Sequence, residues 1–313
     1  MLSALLEDFG RVPEIETLTL LEERCGYNPL AGICRRVRAR DEEIGFRDLA
    51  AEADFTLLIA PEFDAILQTR CRWVLELGGR LLGPDLAAVE LTGDKFALSG
   101  YLRTRGVPTP ECRFFVPGEE VPRALFPLVW KPRYGAGSQA TFLLHSAEEL
   151  PSCPGQARLE GWQGEALLQS FVPGRSASVA FLTGPRCRIP LLPAAQHVSE
   201  DGRFHYLGGS VPLPGDLCGR AAAIAERALE TIPDLMGYVG VDVVLGDAED
   251  GSSDAVIEIN PRLTTSYVGL RALATTNLAE AWLHAALGTE IPTVSWRAGT
   301  VHFDTDGVVR GDL

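Results

Sequence analysis

Leu2, Leu5, Leu6 and Phe9 recur at helical spacing, so the chain is predicted to open on a helix, and the apolar run from Phe55 to Ala60 reads as a buried strand. Helix and strand patterns alternate over the first 90 residues, with Leu81–Pro84 as a second short strand, which predicts a small parallel α/β unit. Pro61, Glu62 and Asp64 follow the first strand directly, at the end where parallel sheets place ligands, although acids there equally suit the positive end of a following helix. Gly93 to Arg105 is a predicted helix that Gly106 ends, with Pro108 and Pro110 beyond. Strand-like runs then cluster at Leu128–Pro132, Thr141–Leu144, Ala166–Val172 and Ser176–Leu182, the last two joined by Pro173-Gly174, and predict an antiparallel lobe. Ala221, Ile224, Ala225, Ala228, Leu229 and Ile232 form an apolar helical stripe, followed by strands at Tyr238–Gly246 and Ala255–Pro261 and a helix around Leu278–Leu287.

At 313 residues, with 46% hydrophobic and 22% charged positions, the chain can bury a substantial core and has room for about two domains of ~150 residues, or more if some lobes are small. No apolar run approaches the ~20 residues of a bilayer-spanning helix, and Met1–Phe9 carries two acids and no basic segment, unlike a secretory signal. A net charge of -14, from 42 acidic against 28 basic residues, argues against a nucleic-acid partner. Small anions remain compatible, because a few local cations and backbone amides hold a phosphate against an adverse overall field. The 7 cysteines are scattered with no CxxC pair, which reads as reduced thiols of a cytoplasmic protein rather than a zinc or disulfide framework.

Two segments carry candidate chemistry. In Lys131-Pro132-Arg133-Tyr134-Gly135-Ala136-Gly137-Ser138-Gln139, a lysine closes an apolar strand and a small-residue loop follows, able to bring its amides around phosphate; a flexible hairpin loop beside a surface lysine is the plainer alternative. If the strands on either side of Asp250 pair as an antiparallel hairpin, Asp242 falls opposite Glu258. Alternation then places Val239, Val241, Val243 and Leu245 with Ile257 and Ile259 on one face, and Asp242, Glu258 and Asn260 on the other. Opposed carboxylates on a buried sheet call for a cation, and these hard oxygen donors suit Mg²⁺; a solvated polar face is the alternative. Arg262 follows Pro261 closely enough to meet an oxyanion beside that metal. His197 and His205 flank a polar turn before Tyr206, and could border a second pocket or be ordinary surface histidines.

With Thr92-Gly93-Asp94-Lys95-Phe96 ahead of the Lys131–Ser138 segment and Glu258-Ile259-Asn260-Pro261-Arg262 at a strand end, the chain resembles the ATP-grasp superfamily of carboxylate-amine ligases. The resemblance implies an α/β and α+β chain: a small N-terminal parallel α/β domain at 1–90, a central lobe with a glycine-rich lid at 91–175, and a C-terminal lobe with a metal site at 176–313, the two lobes enclosing ATP. It implies Lys95 and Lys131 at the ATP phosphates, Gly135, Ala136, Gly137 and Ser138 as the lid, and Gln169, Ser170, Phe171 and Val172 along adenine. Asp242, Glu258 and Asn260 would hold Mg²⁺ or Mn²⁺, with Lys131 and Arg262 as catalytic residues. Two departures stand out: Ser176 lies where many relatives have a ribose-binding glutamate, and the chain opens on a helix where the family usually has a strand, as if the first lobe were shortened. Ala60-Pro61-Glu62-Phe63-Asp64 and the ending Asn260–Tyr267 resemble, within that superfamily, the tyramine-glutamate ligases of methanofuran biosynthesis. The implied reaction joins a small carboxylate such as glutamate to a small amine through an acyl phosphate, with self-association left open. A nucleotide-binding protein that keeps the fold without turnover is the alternative.

Overall fold

The computed structural model describes residues 1–29 and 32–311. The chain opens with α1 (Leu2–Phe9), whose Leu5 and Phe9 enter a core that also holds Trp282. β1 (Leu18–Glu22) and β2 (Ile33–Val37) pair in parallel, and α2 (Glu42–Glu52) and α3 (Ile66–Glu76) follow. The expected strands at Phe55–Ala60 and Leu81–Pro84 reduce to one parallel bridge, Thr56 to Leu81. The first run is extended and apolar on both sides because it lies between two cores, with Phe55, Leu57 and Ile59 against one and Leu58 and Ala60 against the other. Its burial therefore comes from side-chain packing, not from a hydrogen-bonded ladder.

The expected helix at Gly93–Arg105 is preceded by another, so that α4 (Leu86–Gly93) and α5 (Lys95–Thr104) meet at Asp94. The Asp94 carboxylate caps α5, accepting from the Phe96 and Ala97 amides at 3.1 Å each. This cap fixes Lys95 at the first helical position.

In the central lobe, β3 (Cys112–Phe114), β4 (Leu128–Pro132), β5 (Phe142–Leu144), α6 (Cys153–Leu159) and β6 (Ala166–Ser170) build a four-stranded antiparallel sheet of order β3-β6-β4-β5. Trp130 packs into the lobe's core with Phe142 and Trp162, so the pleat turns Lys131 to the opposite face.

The remaining elements are β7 (Arg175–Gly184), β8 (Cys187–Pro190), β9 (Ala194–Val198), β10 (Tyr206–Val211), α7 (Gly215–Glu230), β11 (Gly237–Leu245), β12 (Ala255–Asn260), α8 (Ser266–Leu273), α9 (Leu278–Leu287), β13 (Val301–Phe303) and β14 (Val309–Gly311). Among the described residues the large sheet has eight strands, ordered β12-β11-β7-β9-β10-β13-β14 with β8 beside β7. Here the expected lobe needs correction. Ser176–Leu182 belongs to this sheet, paired with β11 along its length, and not with Ala166–Val172. The Pro173-Gly174 link is a crossing between sheets: Gly174, at φ 149°, lies so close to β11 that a Cβ would sit 2.4 Å from the Leu245 carbonyl oxygen. Val239, Val241 and Val243 face α7, whereas Tyr238 faces the core that contains α8 and α9. Asp242 shares the Tyr238 face, further along β11, where the sheet opens toward the central lobe.

Candidate active site

A cavity of about 400 Å³ lies between the central sheet and the large sheet. It is lined by every residue that the ATP-grasp resemblance implied at the nucleotide or the metal: Lys95, Lys131, Gly135, Ala136, Gly137, Ser138, Gln169, Ser170, Phe171, Val172, Ser176, Asp242, Glu258, Asn260 and Arg262. Lys131 comes from the end of β4, Lys95 from the start of α5, Asp242 from β11, and Glu258 and Asn260 from β12. The loop after Lys131 turns through left-handed backbone at Gly137 and Ser138, φ 67° and 58°, and is tied at its start by Arg133, whose guanidinium pairs with Asp94 and with Glu165.

Asp242 stands opposite Glu258 in register, with Gly240 opposite Asn260. A bulge follows: Val243 pairs with Val256, so Ile257 is the extra residue. This corrects the expected alternation. Val256 and Ile259 take the core positions, and Ile257 joins Glu258 in the cavity wall. Gly240 leaves room for Thr264, whose Cγ2 would lie 2.5 Å from a Cβ there, and this close approach folds the segment after Arg262 back over β11.

The cavity gathers charges of both signs. Lys95 Nζ lies 3.0 Å from Glu258 Oε2 and donates to the Gly135 carbonyl at 2.8 Å. Asp242 accepts from Gln196 Nε2 at 2.9 Å and from Asn260 Nδ2 at 3.1 Å. Burial, then the Glu258 charge, push the Asp242 carboxyl above its ordinary range. Burial acts on Glu258 in the same sense, but Lys95 and Lys131 outweigh it and hold that carboxyl low. Lys131, 5% exposed, is pulled down to about 8 by burial and by the charge of Lys95. Arg262 donates in bidentate fashion to Glu62, Nε to Oε1 at 2.7 Å and the guanidinium NH2 group to Oε2 at 2.9 Å.

Such an arrangement suits a polyanion accompanied by a divalent cation. Among the described residues no three His, Cys, Asp or Glu side chains converge, and Asp242 and Glu258 make a threefold donor set only with Asn260. The set is all hard oxygen and sets two carboxylates opposite each other in the cavity wall, which fits Mg²⁺ or Mn²⁺. Sequence reasoning missed Gln196 and Phe303, which also line the cavity; neither stands in a motif, and only the sheet order brings β9 and β13 alongside, whereas Tyr206, after the polar turn expected to border a second pocket, lines this same cavity. His197 and His205 are not in the wall: His205 is exposed, and His197 lies against Ser210 on the outer strands.

Residues 92–266 match the ATP-grasp domain and residues 15–89 the pre ATP-grasp 3 domain. The chain is similar to a tyramine–L-glutamate ligase of Methanocaldococcus fervens, 28% identical over 238 residues, covering 74% of this chain and 67% of that protein. It is similar to the Methanocaldococcus jannaschii tyramine–L-glutamate ligase, 28% identical over 219 residues, covering 70% of this chain and 58% of that protein. The chain therefore spans only part of the length of these relatives. Among solved structures, it resembles an ATP-grasp superfamily protein from Archaeoglobus fulgidus with a TM-score of 0.63 and 24% identity, over 86% of this chain and 74% of that one. A biotin carboxylase from Campylobacter jejuni aligns with a TM-score of 0.75 and 18% identity, over 96% and 72% of the two chains. Lys95, Lys131, Asp242, Glu258, Asn260 and Arg262 all fall inside the 92–266 match, which takes in more than half of the sequence, and the chain belongs to the ATP-grasp family.

Proposed function

We propose that this protein is an ATP-dependent carboxylate-amine ligase that releases ADP and phosphate. The observation that carries the reading is the convergence, in one cavity, of two lysines, an arginine and the opposed carboxylates of β11 and β12, beside a small-residue loop able to cover phosphates. Lys95 and Lys131 hold the phosphates, and the amides of Gly135 to Ser138 close over them. Gln169 and the backbone near Val172 receive adenine, with Ser176 toward the ribose. Asp242, Glu258 and Asn260 hold the divalent ion, which when bound neutralises phosphate charge.

Phosphoryl transfer asks mainly for alignment and charge neutralisation, and these side chains supply both. A substrate carboxylate attacks the γ-phosphorus, forming an acyl phosphate as the bond to ADP breaks. Lys131, ammonium when phosphate lies against it, and Arg262 face the charge that develops on the transferred oxygens. The amine then attacks the acyl carbon, gives up a proton, and expels phosphate to leave an amide. The two tyramine–L-glutamate ligase relatives support glutamate as the carboxylate and tyramine or a related amine as the acceptor. A coupled assay for ADP release tests this with glutamate, tyramine and mixtures of amino acids and amines. ADP release that needs both partners supports the reading; ADP release indifferent to either partner contradicts it.

A further inference from the structure

Glu62 takes no part in the nucleotide and metal sets, yet it is among the most buried acids of the protein, at 7% exposure. It follows Pro61 at the end of the extended run in the N-terminal unit, 200 residues from Arg262. Its carboxylate grips one edge of the Arg262 guanidinium, the edge formed by Nε and NH2. Among the described residues, the remaining group, NH1, has only a long contact of 3.4 Å with the Leu263 carbonyl. Arg262 lines the cavity and Glu62 stands behind it, outside the wall. A guanidinium has five N–H donors in a planar fork, so a bidentate partner on one edge fixes the plane and leaves the other edge free for a second oxyanion.

The neighbours explain why such a brace matters. Asp242 and Glu258 both attract Arg262 electrostatically, and a flexible arginine without its own counter-ion would settle on them. We infer that Glu62 is a positioning residue, presented by the N-terminal unit to keep the free edge of Arg262 aimed at the γ-phosphoryl oxygens and away from the Asp242–Glu258 pair. The inference rests on the ligase reading only in placing the γ-phosphate beside Arg262.

The test compares ADP with AMP-PNP, a non-hydrolysable analogue of ATP, both with Mg²⁺, by titration calorimetry on the wild-type protein, E62Q, E62D, R262A and the E62Q/R262A double variant. The ratio of the two affinities isolates what the γ-phosphate contributes. E62Q, nearly isosteric, is expected to bind ADP within about twofold of wild type while its preference for the analogue falls about tenfold. E62D, still charged, restores part of that preference. The double variant should be no worse than R262A, because Glu62 acts through Arg262. A merely structural role would weaken ADP and analogue together. Unchanged preference in E62Q, additive losses in the double variant, or a wild-type protein with no preference for the analogue would overturn the inference. If the wild-type protein binds both nucleotides but joins no carboxylate to an amine, the ligase reading fails while the affinity ratio still decides the role of Glu62.

Discussion

Lys131 is a lysine whose charge depends on what occupies the cavity. In the free protein, burial and Lys95 bring its pKa to about 8. Phosphate oxygens beside it favour the ammonium form and raise that value. Well below pH 8 the amine is charged in both states and binding moves no proton. Near pH 8 the free protein is partly neutral, so nucleotide binding should take up about half a proton, and affinity should fall as the pH rises further. Calorimetry in buffers of different ionisation heat measures the uptake, and K131M should abolish it. At Glu258 the expectation concerns turnover: E258Q should lower ADP formation at least ~100-fold, with circular dichroism and thermal midpoint showing a folded protein. Near-wild-type turnover would remove Glu258 from the account. These residues were legible because each sits in a local pattern, a lysine at a strand end or acids facing across a hairpin. Glu62 and Gln196 were not assignable, since their partners lie 200 and 46 residues away and only the folded chain brings them together.

The loop from Arg133 to Gln139 joins rigid and free parts in one element. Arg133 is paired with Asp94 and Glu165, and Tyr134 donates to Asp94 at 3.2 Å, so the loop is latched to the cap of α5. Beyond Lys95's bond to the Gly135 carbonyl, Ala136 and Gly137 have few buried contacts of their own. Hydrogen exchange should therefore show protection rising on nucleotide binding at Gly135 to Gln139, while Arg133 and Tyr134 change little. Equal protection with and without nucleotide across the loop would contradict a closing lid. Helix and strand periodicity revealed most elements near their true places, including α9, β4 and the β11–β12 hairpin. What periodicity could not reveal was partnership. β7 has the same apolar run whether it pairs with β6 or with β11, and a bulge of one residue reverses the face of Ile257 without any mark in the local pattern.

At the scale of the whole molecule, α1 is held against α8 and the start of α9. Asp8 on α1 is buried, and its carboxylate accepts from the Tyr267 hydroxyl at 2.7 Å and from Arg271 Nε at 2.8 Å, both on α8. The backbone carbonyl of Asp8 accepts from Asn277, whose side-chain oxygen caps α9. Substituting D8A would leave Arg271 with only Glu7 and strand a buried tyrosine hydroxyl, so chemical denaturation should show a loss of about 3–5 kcal/mol. A loss below about 1 kcal/mol would mean that α1 is not held by this cluster. The helix that opens the chain is thus part of the core around Trp282, a role its short amphipathic pattern did not disclose. In the proposed reaction, the cavity's charges, the small-residue loop and the Glu62–Arg262 pair all bear on one chemical event, transfer of the γ-phosphoryl group to a carboxylate. That event is most directly tested by isotope transfer. With ¹⁸O in both oxygens of the acceptor carboxylate, one labelled oxygen should appear in the released phosphate for each amide formed; AMP with pyrophosphate, or phosphate without label, would contradict the account.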